Sequence, residues 1–189
     1  MKSSGSLALL AMIFATSAAP AQKRNNNWVM SNNVWFSFST GTIQLLPALT
    51  YQPGMRAACI SDTSGNFLFL ADSLGVHDAL YNLMPNGDAL ALGWPTDLGN
   101  CMILPKPGAP DRYMVFLNGR EDFKQAGHVE VDMSLNGGLG DVVSTSTTWY
   151  MDSTTTKLSA TPQAGGAGYW LMLHEDGTDE FHAYSLTSS

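Results

Sequence analysis

Charge is scarce in this chain, and positive charge scarcer still: charged residues make up 13% of it, with 9 Lys and Arg against 16 Asp and Glu, for a formal net charge of −7. A nucleic-acid surface needs Lys and Arg clustered against phosphates. Only Lys23-Arg24 sit together, so that class of partner is excluded. Cysteine is limited to Cys59 and Cys101. One pair is too few to frame a disulfide-built fold, which leaves two readings: a single possible disulfide, allowed in an exported chain, or two small buried side chains. The spacings His-x-x-x-His and Cys-x-x-Cys are missing, as are Asn-x-Ser/Thr and Gly-x-Ser-x-Gly, so the usual zinc, glycosylation and nucleophile-elbow signals are absent. Gly137-Gly138-Leu139-Gly140 lacks the Lys-Ser/Thr and the helix of a phosphate cradle.

Long apolar runs are also absent, apart from one at the start. Lys2 gives a positive n-region, Leu7 to Ala15 is an apolar stretch of signal-peptide length, and Ala19-Pro20-Ala21 offers small residues for cleavage. The run is well short of the roughly 20 residues that cross a bilayer. Residues 1–21 therefore read as a signal peptide, and residues 22–189 as one exported domain, secreted or at the cell surface, with no transmembrane segment after cleavage.

What fills that domain is short runs of aromatic and β-branched residues separated by Gly, Pro, Asn and Asp. Trp28-Val29-Met30, Val34 to Phe38, Phe67 to Leu70, Tyr113 to Leu117 and Tyr169 to Leu173 are examples, and they predict strands. Asn86-Gly87, Asn118-Gly119, Asn136-Gly137 and Asp176-Gly177 predict tight turns. One short helix is expected over Val76 to Leu83, ended by Met84-Pro85-Asn86-Gly87.

A repeat organises these runs. Ala58 to Asp62 with Phe67 to Leu70, Cys101 to Pro105 with Tyr113 to Phe116, and Leu158 to Pro162 with Tyr169 to Met172 each read as a small-apolar strand, a polar turn and an aromatic-led strand. They are offset by 46 and 56 residues, near the roughly 40–50 residues of a propeller blade. Val129 to Met133 and Phe181 to Leu186 fit as outer strands. The fold class is therefore all-β, with a β-propeller of WD40-like repeats favoured by the period and a β-sandwich as the alternative.

The order of Asn26-Asn27-Trp28, Ala58 to Asp62, Gly65 to Phe69, Met84 to Gly87, Ile103 to Gly108, Met133 to Val142, Thr156-Lys157-Leu158, Tyr169-Trp170 and Phe181 to Thr187 resembles one family. It is the N-terminal propeller-like region of large secreted Bacteroidetes-type surface proteins associated with gliding motility and type IX secretion. The resemblance implies a propeller fold and an adhesive or binding role, and it supplies no catalytic residues. His77 stands where the family tends to have Trp. Relatives continue into further blades, whereas at roughly 45 residues per blade residues 22–189 make only three to four. The expectation is an N-terminal fragment, an incomplete ring whose open edge further blades or a partner chain would cover.

Site signals are sparse. Trp94, Trp149 and Tyr150 flank turns and are the aromatic candidates for stacking on a ligand. Metal candidates are confined to His174, His182, Asp176 and Asp179. A symmetric hairpin pairs 174 with 181 and 173 with 182, which sends the two histidines to opposite faces. The acidic run Glu175 to Glu180 lacks the ligand ladder of a calcium loop. No metal or other cofactor is expected. Asp62, with Gly65 before Phe67, resembles the Asp-box turns of glycan-cleaving propellers but with the wrong spacing, and reads as hairpin chemistry. Asp62, Asp72 and Asp97 are the carboxylates available to a glycosidase, which needs two at a defined separation. The leading expectation is a non-catalytic extracellular binding or adhesion module, its partner a glycan or a surface protein. The alternatives are a carbohydrate-active propeller enzyme and a gene fragment without independent function.

Overall fold

A computed structural model describes residues 23–30, 34–47, 51–54, 56–89, 98–119, 124–143 and 147–188. The expected signal peptide, Trp94 and Asp97 lie outside the described residues. Within them the chain is all-β, with no α-helix, and its strands form four antiparallel sheets, none closed on itself. The first holds β1 (Asn27–Met30), β2 (Val34–Ser37) and β3 (Gln44–Leu45). The second holds β4 (Ala58–Ser61), β5 (Phe67–Asp72), β6 (Gly75–His77) and β7 (Leu83–Asp88). The third is built on β8 (Leu98–Pro105), β9 (Arg112–Gly119) and β10 (Ala126–Asp132), with β11 (Asp141–Val142) and β12 (Thr148–Met151) both paired to β10. The fourth holds β13 (Thr154–Pro162), β14 (Tyr169–Glu175) and β15 (Phe181–Leu186).

All three repeated hairpins form where the pattern places them, as β4–β5, β8–β9 and β13–β14. The first turns through an Asp side chain. The Asp62 carboxylate accepts the backbone N–H of Ser64 at 2.8 Å and of Asn66 at 2.9 Å, while Gly65 takes φ +96°. That conformation strains any residue with a Cβ. Here a Cβ would also meet the Asn26 side chain at 2.5 Å.

The helix expected over Val76 to Leu83 does not form. Its residues are the end of β6, a tight turn and the start of β7. The reason is local: the Asp78 carboxylate accepts the N–H of Leu80 at 2.8 Å and of Asn82 at 2.9 Å, and Tyr81 adopts a left-handed φ of +66°. Such Asx turns compete with helix for the same backbone groups. Two turn dipeptides are likewise absorbed into strands. Asn86-Gly87 lies inside β7, with Asn86 at φ +57°, and Asn118-Gly119 ends β9. Asn136-Gly137 does turn, both residues having positive φ (51° and 66°), and Asp176-Gly177 closes β14–β15.

Successive sheets pack face to face. Between the first and second, Val29 and Trp35 meet Cys59, Phe67, Leu70 and Tyr81. Between the second and third, Ile60, Phe69, Ala71, Val76 and Met84 meet Tyr113, Val115, Leu117, Val129 and Val131. Between the third and fourth, Met114, Phe116 and Ala126 meet Leu171, Leu173 and Leu186. Among the described residues no helix is long and apolar enough to cross a membrane.

Leu171 is fully buried and its neighbour Trp170 is 44% exposed, because adjacent strand residues face opposite ways. Leu171→Ala should therefore cost about 2–5 kcal/mol in urea unfolding. Trp170→Ala should stay within about 1 kcal/mol of wild type. Equal effects would contradict this assignment of faces.

Candidate functional site

In each of the four sheets the strand that comes first in sequence is an edge strand. An edge strand presents unpaired N–H and C=O groups along one side. Three of these strands, β1, β4 and β8, wall a groove of about 610 Å³. That volume falls in the range of small-ligand sites.

Trp28 gives the groove an apolar plane. It is 49% exposed, its indole N–H donates to the Asn25 carbonyl at 3.0 Å, and its ring leans on Phe38 with centroids 5.3 Å apart. Asn27 fixes β1 against the second sheet: its amide donates to Ser61 Oγ at 2.9 Å and to the Gly65 carbonyl at 3.0 Å, while its Oδ1 accepts from the Trp35 indole at 3.3 Å. Arg56, held in a left-handed conformation (φ 61°), reaches across to donate to the Gly99 carbonyl before β8's central residues. Nearby, Arg24 lies over the Tyr113 ring and donates to its hydroxyl at 2.9 Å. Among the described residues no carboxylate lines the groove, although the chain as a whole is acidic.

Cys59 and Cys101 both touch the groove, yet both are free thiols. Alternation along β4 separates them. Cys59 turns toward the first sheet, donating to the Asn27 carbonyl at 3.1 Å and accepting from Val29 N–H at 3.3 Å, whereas Cys101 joins the core between the second and third sheets. In the structure the two are unbridged, Cys101 buried and Cys59 half-buried. Burial pushes the Cys59 thiol up to about 11 and the Cys101 thiol up to about 12, so neither is a ready nucleophile.

A second polar cluster was not anticipated. The Tyr51 hydroxyl donates to Asp72 Oδ2 at 2.8 Å and stands 2.9 Å from His77 Nε2, while Gly54 N–H and Leu74 N–H also bond the Asp72 carboxylate, each at 2.8 Å. With the tyrosine O–H directed at Asp72, its oxygen can only accept from the ring, so the hydrogen sits on His77 Nε2. Asp72 is fully buried and His77 is 5% exposed. None of the three lines the groove, and the cluster ties residues 51–54 to the second sheet. Burial, outweighing the nearby Asp72 and Asp78 charges, holds the His77 imidazole below its ordinary value. His128 is lowered the same way, enclosed between Phe116 and Tyr150 with the Tyr150 hydroxyl 2.9 Å from Nδ1.

Of the carboxylates open to a glycosidase, the two among the described residues do not converge. Asp62 sits in the turn before β5 and Asp72 at the strand's far end, roughly 17 Å away at the rise of an extended strand. That exceeds either glycosidase separation. Trp149 and Tyr150 alternate on β12: Trp149 is exposed, while Tyr150 packs in the core between the third and fourth sheets beside Tyr184. Burial raises the Tyr150 hydroxyl to about 12. The metal candidates scatter as the register requires, with Leu173 opposite His182 and His174 opposite Phe181. His174 faces Thr155, and Asp176 pairs with Lys124. Only His182 has acidic neighbours on its own face, Glu175 at 3.1 Å and Glu180 at 3.9 Å. Glu175 lies across the hairpin from His182 and Glu180 two residues before it on the same segment, both at matching parity, so the sequence did hold that signal.

Compared with family models, curated proteins and solved structures, the chain finds no significant match.

The two depressed histidines set a pH dependence. A histidine with a lowered native pKa stays neutral in the fold while the unfolded chain takes up the proton near pH 6.5, its ordinary value. Stability is then complete above about pH 6.5 and declines as pH falls toward the depressed native values. The melting temperature should fall between about pH 7 and pH 5, and less steeply in His77→Gln than in wild type. A flat or rising profile would refute it.

Proposed function

We propose that the four sheets are consecutive blades of an incomplete β-propeller, and that the chain is a non-catalytic extracellular binding module with its ligand site in the groove walled by β1, β4 and β8. Two features support the blade reading. The second and third sheets are each covered on both faces by their sequence neighbours, and each sheet turns its first strand to an edge. A two-layer sandwich leaves the outer face of each sheet in water. Export rests on residues 7–21, and membership of the gliding-associated surface-protein family rests on the resemblance alone; both belong to the proposal.

The groove's composition carries the binding reading. It offers a half-exposed indole and the exposed side chains of Asn25 and Arg56, with no carboxylate among its described lining residues. Such a surface holds a ligand by stacking and hydrogen bonds. It lacks the paired acid and base that cleave a glycosidic bond. An extracellular glycan or the glycan-bearing surface of another protein suits it.

A glycan array probed with the purified chain, followed by product analysis of every hit, tests the proposal. Binding without released sugar is expected. Trp28→Ala should weaken it at least about tenfold, or about 1.4 kcal/mol, with an unchanged melting temperature. Released sugars, or full affinity in Trp28→Ala, would overturn the reading.

A further inference from the structure

Three junctions join the four sheets, and each carries an aromatic pair across it. Trp35 meets Phe67 at 5.6 Å, Phe69 meets Tyr113 at 5.5 Å, and Tyr150 meets Tyr184 at 5.1 Å. The face of each sheet that seats on its successor is its forward face, and the face that seats on its predecessor its backward face. Two faces at the ends of this series have no sheet on them among the described residues.

The backward face of the first sheet follows from its register, which sets Trp28 opposite Phe36, Met30 opposite Val34 and Phe36 opposite Leu45. Trp28, Met30 and Leu45 on that face are 49%, 47% and 70% exposed. The forward face of the fourth sheet is set by Trp170 opposite Ser185, Met172 opposite Ala183 and His174 opposite Phe181. Trp170 and Phe181 there are 44% and 64% exposed. Among the described strand residues of these two faces there is no carboxylate: Glu175 lies on the other side of the fourth sheet, and Asp176, Asp179 and Glu180 belong to the β14–β15 turn. Exposed apolar patches of this kind mark interaction surfaces.

We infer that the occupant of both faces is a second copy of this chain. The fourth sheet of each copy seats on the first sheet of the other, closing two copies into a ring of eight sheets. The argument is one of continuity: the two open faces are the forward and backward halves of a junction the chain already makes three times, each with its aromatics in place. Any copy carries both halves, so the contact is head-to-tail, and two such contacts close a two-fold ring. Eight blades is within the range that propellers adopt. The inference rests on the radial stacking proposed above. It makes no use of the ligand, so its failure leaves the array result to decide the binding reading separately.

Sedimentation and light scattering of the full chain across micromolar concentrations provide the test. Twice the chain mass is expected. Leu45→Glu, on the first sheet, and Trp170→Glu, on the fourth, should each weaken self-association at least about hundredfold while keeping the wild-type circular-dichroism spectrum and a cooperative melt. Mixing the two variants should restore a pair, because one undamaged forward face then meets one undamaged backward face. A wild-type chain of single mass throughout, a pair that survives either variant, or open-ended polymers would each overturn the ring.

Discussion

Val115 and Phe116 are neighbours in sequence, are both fully buried, and belong to different cores. This two-sided burial of β9 is the constraint on which the arrangement depends. A strand whose alternate side chains are all apolar must be covered on both faces. Tyr113, Val115 and Leu117 accordingly draw the second sheet to one side, while Met114 and Phe116 draw the fourth to the other. The second sheet repeats the demand with Phe69 and Leu70, which are buried on opposite faces. Sheets with two apolar faces stack in series, and a series leaves its first strands gathered along one edge. The groove is therefore a by-product of how the cores are filled.

That logic explains how much of the fold was legible. Aromatic-led runs such as Phe67 to Leu70 and Tyr113 to Leu117 are near-continuous apolar stretches, and they mark strands buried on both sides. The turn dipeptide at Asp176-Gly177 set the β14–β15 register, so the opposite facing of His174 and His182 could be read from residue parity alone. Where the reading failed, side chains overrode the pattern. Val76 to Leu83 has helical spacing, but Asp78 bonds two backbone N–H groups of its own turn. The resulting Asx turn costs little and permits β6 to pair with β5. Asn86-Gly87 has turn composition, yet β7 uses it as an irregularity within a strand that pairs β6 through a register shift.

The groove was less legible than the fold, for a physical reason. Its members come from three strands, with 30 residues from Val29 to Cys59 and 42 from Cys59 to Cys101, and no local motif links them. Asn27 reads as one more polar residue in an Asn run; it becomes a latch only when β4 and the Gly65 turn arrive beside it. Arg56 carries no signature until β8 supplies the carbonyl it bonds. Aromatic residues were sought beside turns, at Trp149 and Tyr150, because turns lie at the surface. The exposed indole of the groove instead belongs to β1, where an edge strand of a terminal sheet leaves one face uncovered.

Trp28 therefore stands at the meeting of the two proposals, since it lines the groove and lies on the open face of the first sheet. On an open series of sheets the groove has a wall on only one flank. A sheet seated on the face that carries Trp28, Met30 and Phe36 would exclude water from the indole's outer side and leave its groove side free. Hydrogen bonds and stacking strengthen as competing water is removed. Arg56 is already held by the Gly99 carbonyl through one of its N–H groups, so its remaining donors would need little reorganisation, while Asn27 spends both amide hydrogens on holding β1 in place. Covering the end face would thus preorganise the site without altering a residue in it, which couples the assembly of the sheets to the affinity of the groove.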